Sequence, residues 1–206
     1  MKALDRALRF ADWLSLRAVW GGGALLLLAA ITVSVDVLLR KLFSFSLGGA
    51  DELSGYAFAI GTAWAFAFAL LRRANVRVDA LYQHLPLKYC ALLDILSLLA
   101  LGWFVAYLAF YGWQVLETSW TLSARSNSAL KVPLWIPQSL WFAGLAAFLA
   151  TLSLLLVRSL VAMATGDWKA IQALVGARSI QEDAEEEAAY ARGIEGGTRR
   201  MEGGPG

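Results

Sequence analysis

The chain has 206 residues, of which 59% are hydrophobic and 12% aromatic, with 18 basic and 16 acidic side chains giving a formal net charge of +2. That apolar share exceeds what an average soluble domain carries, and the nearly balanced charge gives no support to nucleic-acid binding. One cysteine, Cys90, excludes an internal disulfide, and one histidine, His84, excludes a haem held between two histidines of one chain.

Residues 1–17 alternate charged and apolar residues at helical spacing. Leu4, Ala7, Leu8, Ala11 and Leu14 fall broadly on one face, opposite Lys2, Asp5, Arg6, Arg9 and Asp12. This pattern predicts an amphipathic helix in the membrane interface. A secretory signal is the competing reading, but the apolar run from Ala18 to Val35 is long for a signal core and lacks a small-x-small exit site. Residues 18–39 therefore read as a first span, running outward. Gly21, Gly22 and Gly23 open it at a cost in helix propensity, which calls for a close helix contact or a break from the preceding helix. Near its outer end Asp36 precedes Arg40 by four residues, the favourable order for a helical ion pair, and Ser44 to Ala50 reads as a short outer loop.

Residues 53–71 form nineteen positions without a charge, close to what a hydrocarbon core of about 30 Å requires. Asp51 and Glu52 precede them and Arg72 and Arg73 follow, matching the two ends of a helix dipole. Within the span, bulky and small residues alternate, a strand-like period; no other segment alternates, so a barrel is rejected. On a helix the same pattern produces small ridges, Ala57–Gly61–Ala65–Ala69 and Ala59–Ala63–Ala67, suited either to packing within this chain or to a groove for another subunit. Val78, Leu81, Tyr82 and Leu85 then predict a short inner interfacial helix ended by Pro86, with His84 on its polar face.

The third span, residues 89–116, is apolar apart from Asp94 and Gln114. Asp94 is the one acid well inside an apolar run, about 7 to 8 Å from Tyr89 along the helix. It suits a structural hydrogen bond or an inter-subunit pair better than an ion relay, which needs companion acids. Glu117 to Val132 is the larger external loop. Pro133 and Pro137 punctuate entry to a fourth span, residues 136–157, with Trp135 and Trp141 at the outer interface. Asp167 suits the cap of a second interfacial helix over residues 164–178, and the acidic and glycine-rich residues 179–206 read as a disordered tail.

Eleven basic residues fall on the first segment, on the middle loop and after the fourth span, against four on the other two loops (Arg40, Lys41, Arg125 and Lys131). By the positive-inside rule, both termini are cytoplasmic. The fold class is thus all-α integral membrane: a four-span domain over residues 18–163, N-in and C-in, with amphipathic interfacial helices. No spaced set of acids, histidines and nucleophiles argues for an enzyme, no cysteine or histidine cluster for a metal, and the second and fourth spans hold no charge that would line a transport path. A helical scaffold that packs on something else is the leading reading; a self-contained channel or a membrane enzyme built around Asp94 is the alternative.

Three segments carry a resemblance: DVLLRKLFSFSLGGADELSGY (Asp36 to Tyr56), ALLRRANVRVDALYQHLP (Ala69 to Pro86) and VPLWIPQSLWFAG (Val132 to Gly144). In this order, with four spans, the chain resembles the DctQ-like small membrane subunit of tripartite ATP-independent periplasmic (TRAP) transporters. It departs from that family at Asn75, where many members place a histidine, and in its long tail. The resemblance implies a scaffold subunit in a bacterial inner membrane with three kinds of partner: a large permease subunit, a periplasmic solute-binding protein that delivers an organic anion, and membrane lipids. It places sodium and substrate in the large subunit, so that this chain holds no cofactor. Arg40, Asp51 and Glu52 are the candidate outer-face contacts, and Arg72, Arg73, Arg77 and Asp79 the candidates for inner anchoring to lipid or partner. Each is equally a candidate for a solvated span flank.

Overall fold

A computed structural model of the chain describes residues 2–74 and 85–176, together with the isolated position 188. Five helices make up this part: α1 (Lys2–Phe43), α2 (Ala50–Leu71), α3 (Leu87–Thr121), α4 (Trp135–Ala164) and α5 (Trp168–Val175). The first four are long and apolar enough to cross a membrane. The only extended pairing among the described residues is a single bridge between Arg125 and Pro133 in the α3–α4 loop. The expected inner helix before Pro86, with Arg77, Asp79 and His84, lies outside the described residues, as do Arg178 and the tail apart from position 188.

The first helix differs from expectation. Residues 1–17 do not form a helix separate from the first span: α1 continues from Lys2 through the three glycines to Phe43. Breaking a helix at the edge of hydrocarbon would leave backbone groups without partners, costing several kcal/mol, whereas each glycine costs only about 1 kcal/mol relative to alanine. The close helix contact is made by the middle glycine alone. A methyl group on Gly22 would stand 3.1 Å from Cα of Gly61, so α1 and α2 meet backbone to backbone at this point. The N-terminal half of α1 is then held down by Asp5, whose carboxylate is 3.4 Å from Nε of Arg158, and by Asp12, 3.2 Å from Nη2 of Arg72.

These pairs also fix the topology. The start of α1, the end of α2 and the end of α4 share one end of the molecule, so the helices run up and down in turn. In cross-section they form a row rather than a closed bundle. α2 packs on α1 on one side and on α4 on the other, the first part of α1 also reaches α4, α3 packs on the far side of α4, and α5 fits between α3 and α4.

The alternating sequence of α2 explains its central place. Gly61 faces α1 and Ala63 faces α4, where a methyl group on Gly144 would stand 3.0 Å from the Ala63 carbonyl carbon. Two residues turn a helix by about 200°, so adjacent small ridges serve opposite neighbours. Ala57, Gly61, Ala63 and Ala67 are buried in this way, and the ridges are used for packing within the chain.

The apolar core lies further along the row, where Leu145, Leu152 and Leu155 of α4 meet Ala91, Ile95 and Leu98 of α3. Asp167 caps α5 as its sequence suggested, accepting the Ala170 N–H at 3.0 Å. The apolar face of α5 does not point away from the protein: Ile171 and Val175 are buried in this same core.

Candidate functional site

The polar side chains gather at the two ends of the row. At the end remote from the start of α1, Asp36 is 2% exposed although it lies near the mouth of the α1–α2 loop. Its carboxylate pairs with Arg40 one turn later and accepts the Leu47 N–H at 2.6 Å and the Ser46 hydroxyl at 3.0 Å. A burial that would be costly for a lone acid is thereby matched by three donors. The loop needs such an anchor, because Ser44 and Gly48 both hold left-handed backbone, at φ 53° and 65°. Arg40 itself stays mostly exposed, with only one arm of its guanidinium used.

The second loop locks onto the first. The Leu130 side chain fills the space above Gly49, which no larger residue could share, and Ala129 lies beside Gly48. Glu52, in the first turn of α2, accepts the Tyr56 hydroxyl, while Ser126 and Ser128 of the α3–α4 loop face its carboxylate. Within that loop Ser126 N–H donates to the Val132 carbonyl and Leu134 N–H to the Ala124 carbonyl, each at 3.0 Å. Arg40 and Glu52 therefore belong to one surface made from both loops. Asp51 is exposed beside Glu52 at the start of α2.

At the other end, Arg72 closes α2, lies over the Phe68 ring at 5.2 Å, and pairs with Asp12. Arg73 follows with a left-handed backbone, φ 53°, its N–H bonded to the Leu70 carbonyl. This is the six-to-one, five-to-two pattern that ends many helices, and α3 and α4 end in the same way at Ser123 and Gly166. The two arginines do not act as a pair: one reaches across to α1 while the other turns the chain away. Arg77 and Asp79 lie outside the described residues.

Asp94 is fully buried on the α3 face that carries Ala91, Ile95 and Leu98. Its place about five residues into the span would let a side chain on an open face reach lipid headgroups. The packing of α4 and α5 over that face encloses it instead. The Ser97 hydroxyl donates to its backbone carbonyl at 2.8 Å. No group of three or more His, Cys, Asp or Glu side chains among the described residues is arranged to hold a metal ion.

Several residues that shape these ends were not singled out from the sequence as contacts. Asp5, Asp12 and Arg158 join α1 to its neighbours, and the indole N–H of Trp64 donates to the Leu140 carbonyl across the α2–α4 contact at 3.0 Å. Their partners lie 60 or more positions away, and helical periodicity carries no information at that range. For Asp36, the spacing to Arg40 was the available signal; the loop donors were not legible.

Four helices long and apolar enough to cross a membrane, two interlocked loops at one end and basic residues at the other describe an integral membrane protein. A family model, that of the DctQ component of tripartite ATP-independent periplasmic transporters, matches residues 28–163. The chain belongs to this family. It is accordingly a transporter component, the small permease component, and a multi-pass membrane protein. Transporters of this type also comprise a large permease and a periplasmic binding protein. No curated protein and no solved structure matches the chain. The matched stretch includes Asp36, Arg40, Glu52, Asp94 and both loops at the far end. It omits α1 before residue 28 and all of α5, so the Asp5–Arg158 and Asp12–Arg72 pairs tie a flanking segment to the DctQ region.

Proposed function

We propose that this DctQ component is a fixed brace for the large permease subunit during sodium-coupled import of an organic anion, a carboxylate or sulfonate, delivered by the periplasmic binding protein. The observation that carries the proposal is the way α2 is gripped. Glycines and alanines bring its backbone against α1 on one side and α4 on the other, and such close contacts resist sliding. A part that must stay still while its partner moves benefits from that stiffness. Sodium and substrate then bind in the large subunit, and this chain needs no cofactor of its own.

In this proposal both termini and the Arg72 end are cytoplasmic, following the excess of basic residues there. The interlocked loops face the periplasm, and Arg40, Asp51 and Glu52 lie where a binding protein would dock. Arg72 and Arg73, with Arg77 and Asp79, anchor the inner end to lipid or to the permease. Asp94 has a structural part in the core of α3, α4 and α5.

The test is purification of the full chain from native membranes in mild detergent, with mass identification of its companions. A polytopic permease in comparable amount supports the brace. A monomer or homo-oligomer that is stable and lacks a permease overturns it.

A further inference from the structure

The α3–α4 loop encloses a cleft of about 320 Å³, lined by Trp120, Ser123, Arg125, Pro133 and Trp135. Nothing in the brace uses it. Trp120, near the end of α3, and Trp135, at the start of α4, meet edge to face with ring centres 4.8 Å apart, so the two helix ends and the loop between them form one frame. Arg125 is held in this frame by the bridge to Pro133, and its Nη1 donates to the Lys131 carbonyl at 3.3 Å. A neutral carbonyl leaves the charge of the guanidinium uncompensated. Among the described residues no carboxylate pairs with it, and Glu117, the acid nearest in sequence, lies near the end of α3 and does not line the cleft.

The backbone adds to this field. The first residue of α4, at the positive end of its dipole, is part of the cleft wall. The negative end of α3 is also near, but its Thr118, Ser119 and Trp120 carbonyls accept the N–H groups of Leu122, Ala124 and Ser123. The net bias favours an anion. The place of the cleft at the ends of two membrane-spanning helices favours a lipid as its source: tryptophan is a residue of the membrane–water boundary, and Trp120 and Leu122 present 60% and 73% of their surface outward beside the cleft, where acyl chains would run.

We infer that this cleft binds the headgroup phosphate of an anionic phospholipid, with Arg125 as the charged contact, the Ser123 hydroxyl as a second donor, and the two indoles as walls. The ligand would fasten the α3–α4 loop, and through it the interlocked α1–α2 loop, to the membrane surface.

Native mass spectrometry of the full chain in detergent, titrated separately with dioleoylphosphatidylglycerol and dioleoylphosphatidylcholine, tests this assignment. We expect the anionic phosphatidylglycerol to be retained in preference, and Arg125→Ala to require about fivefold more of it for equal occupancy, the effect of one basic residue near a membrane surface. Arg125→Lys should recover part of the loss, which a merely structural change would not allow. Arg125→Gln is the substitute if the alanine variant fails to fold. Equal retention by wild type and variants overturns the inference, and a loss of permease companionship alongside it reassigns the cleft to a protein contact. Equal retention of phosphatidylcholine overturns it as well. Competition by glycerol phosphate at the same concentration as the lipid would show a site for free anions and not for a membrane lipid.

Discussion

Gly144 gives the sharpest test of the packing, because two opposing effects of known size act on it. Alanine in place of glycine inside a helix gains about 1 kcal/mol from backbone entropy. At Gly144, however, the new methyl group would lie 3.0 Å from both the Ala63 carbonyl carbon and the Trp64 nitrogen, and 2.9 Å from Cδ1 of the Trp64 ring. Two of those atoms are backbone and cannot rotate away. The Trp64 ring is itself tied by its hydrogen bond to Leu140. Relief therefore requires α2 and α4 to separate by a few tenths of an ångström along their contact, and overpacking of this kind costs about 1–3 kcal/mol.

The net effect of Gly144→Ala is then a destabilisation of up to about 2 kcal/mol, and Gly144→Val should exceed it. Gly21 and Gly23 supply the internal control, since nothing lies within 4 Å of a methyl group at either position. There the propensity gain stands alone, and alanine should raise the melting temperature by about 2–4 °C. The chain carries its own reporter for these measurements. Cys90 is the single cysteine and is buried, so a thiol-reactive fluorophore reads unfolding in detergent directly. If Gly144→Ala stabilises the protein as much as Gly21→Ala, the close α2–α4 approach is wrong and the argument for a stiff brace fails with it.

Other perturbations probe the ends of the row. Asp36→Asn removes the charge that holds Arg40 and weakens two loop hydrogen bonds, so amide exchange at Leu47 should quicken about tenfold or more while α4 amides are unchanged; equal rates would deny Asp36 its anchoring part. Ser123→Gly relieves a left-handed backbone worth about 1 kcal/mol, and a melting temperature that fell would contradict the assigned helix end. Replacing Arg72 and Arg73 together by Glu should change the orientation of the chain or its assembly with the permease, read by terminal reporters and co-purification, with binding-protein affinity spared. Unchanged orientation and assembly would remove them from inner anchoring. Asp94→Asn keeps the size of a buried side chain, and uptake by the reconstituted transporter should persist within about twofold; uptake abolished with assembly intact would give Asp94 a direct part in ion handling.

The number and order of the spanning helices were legible because each is a long apolar run, uncharged but for Asp94 in the third, and such a run is most stable as a helix in hydrocarbon. The ends were less so. α1 outruns its apolar core by more than fifteen residues, since Asp5 and Asp12 find partners on α4 and α2 that no local pattern reveals. The face of α5 could be read as amphipathic, but not which apolar surface it meets. At the far end, the glycines and serines of both loops signalled turns, while the register that brings Leu130 over Gly49 depends on how α2 and α4 cross. The alternation in α2 had two readings on equal terms, internal packing or a groove for another subunit. The choice between them required knowing that α2 sits in the middle.

A row of helices makes different demands from a bundle. In a closed four-helix bundle every helix turns a stripe to a common centre, whereas in a row the inner helices bury two opposite stripes and the outer ones only one. The burial follows that rule at one edge: in the most apolar stretch of α1 only 6% of the residues are buried, against 33% for α4. α3, at the other edge, is partly enclosed by α5 near its start, but from Trp103 to Trp113 it presents Trp103, Phe104, Tyr107, Phe110 and Tyr111 outward. The row consequently shows apolar surface on both broad faces, and the small contacts at Gly22–Gly61 and Ala63–Gly144 must hold it together without a central core at that position. That is a poor design for enclosing a transport path, which needs polar groups converging on a shared interior. It is a sound one for extending the side of a larger membrane protein, because a row can lie flat against a partner over its full width while lipid covers the opposite face.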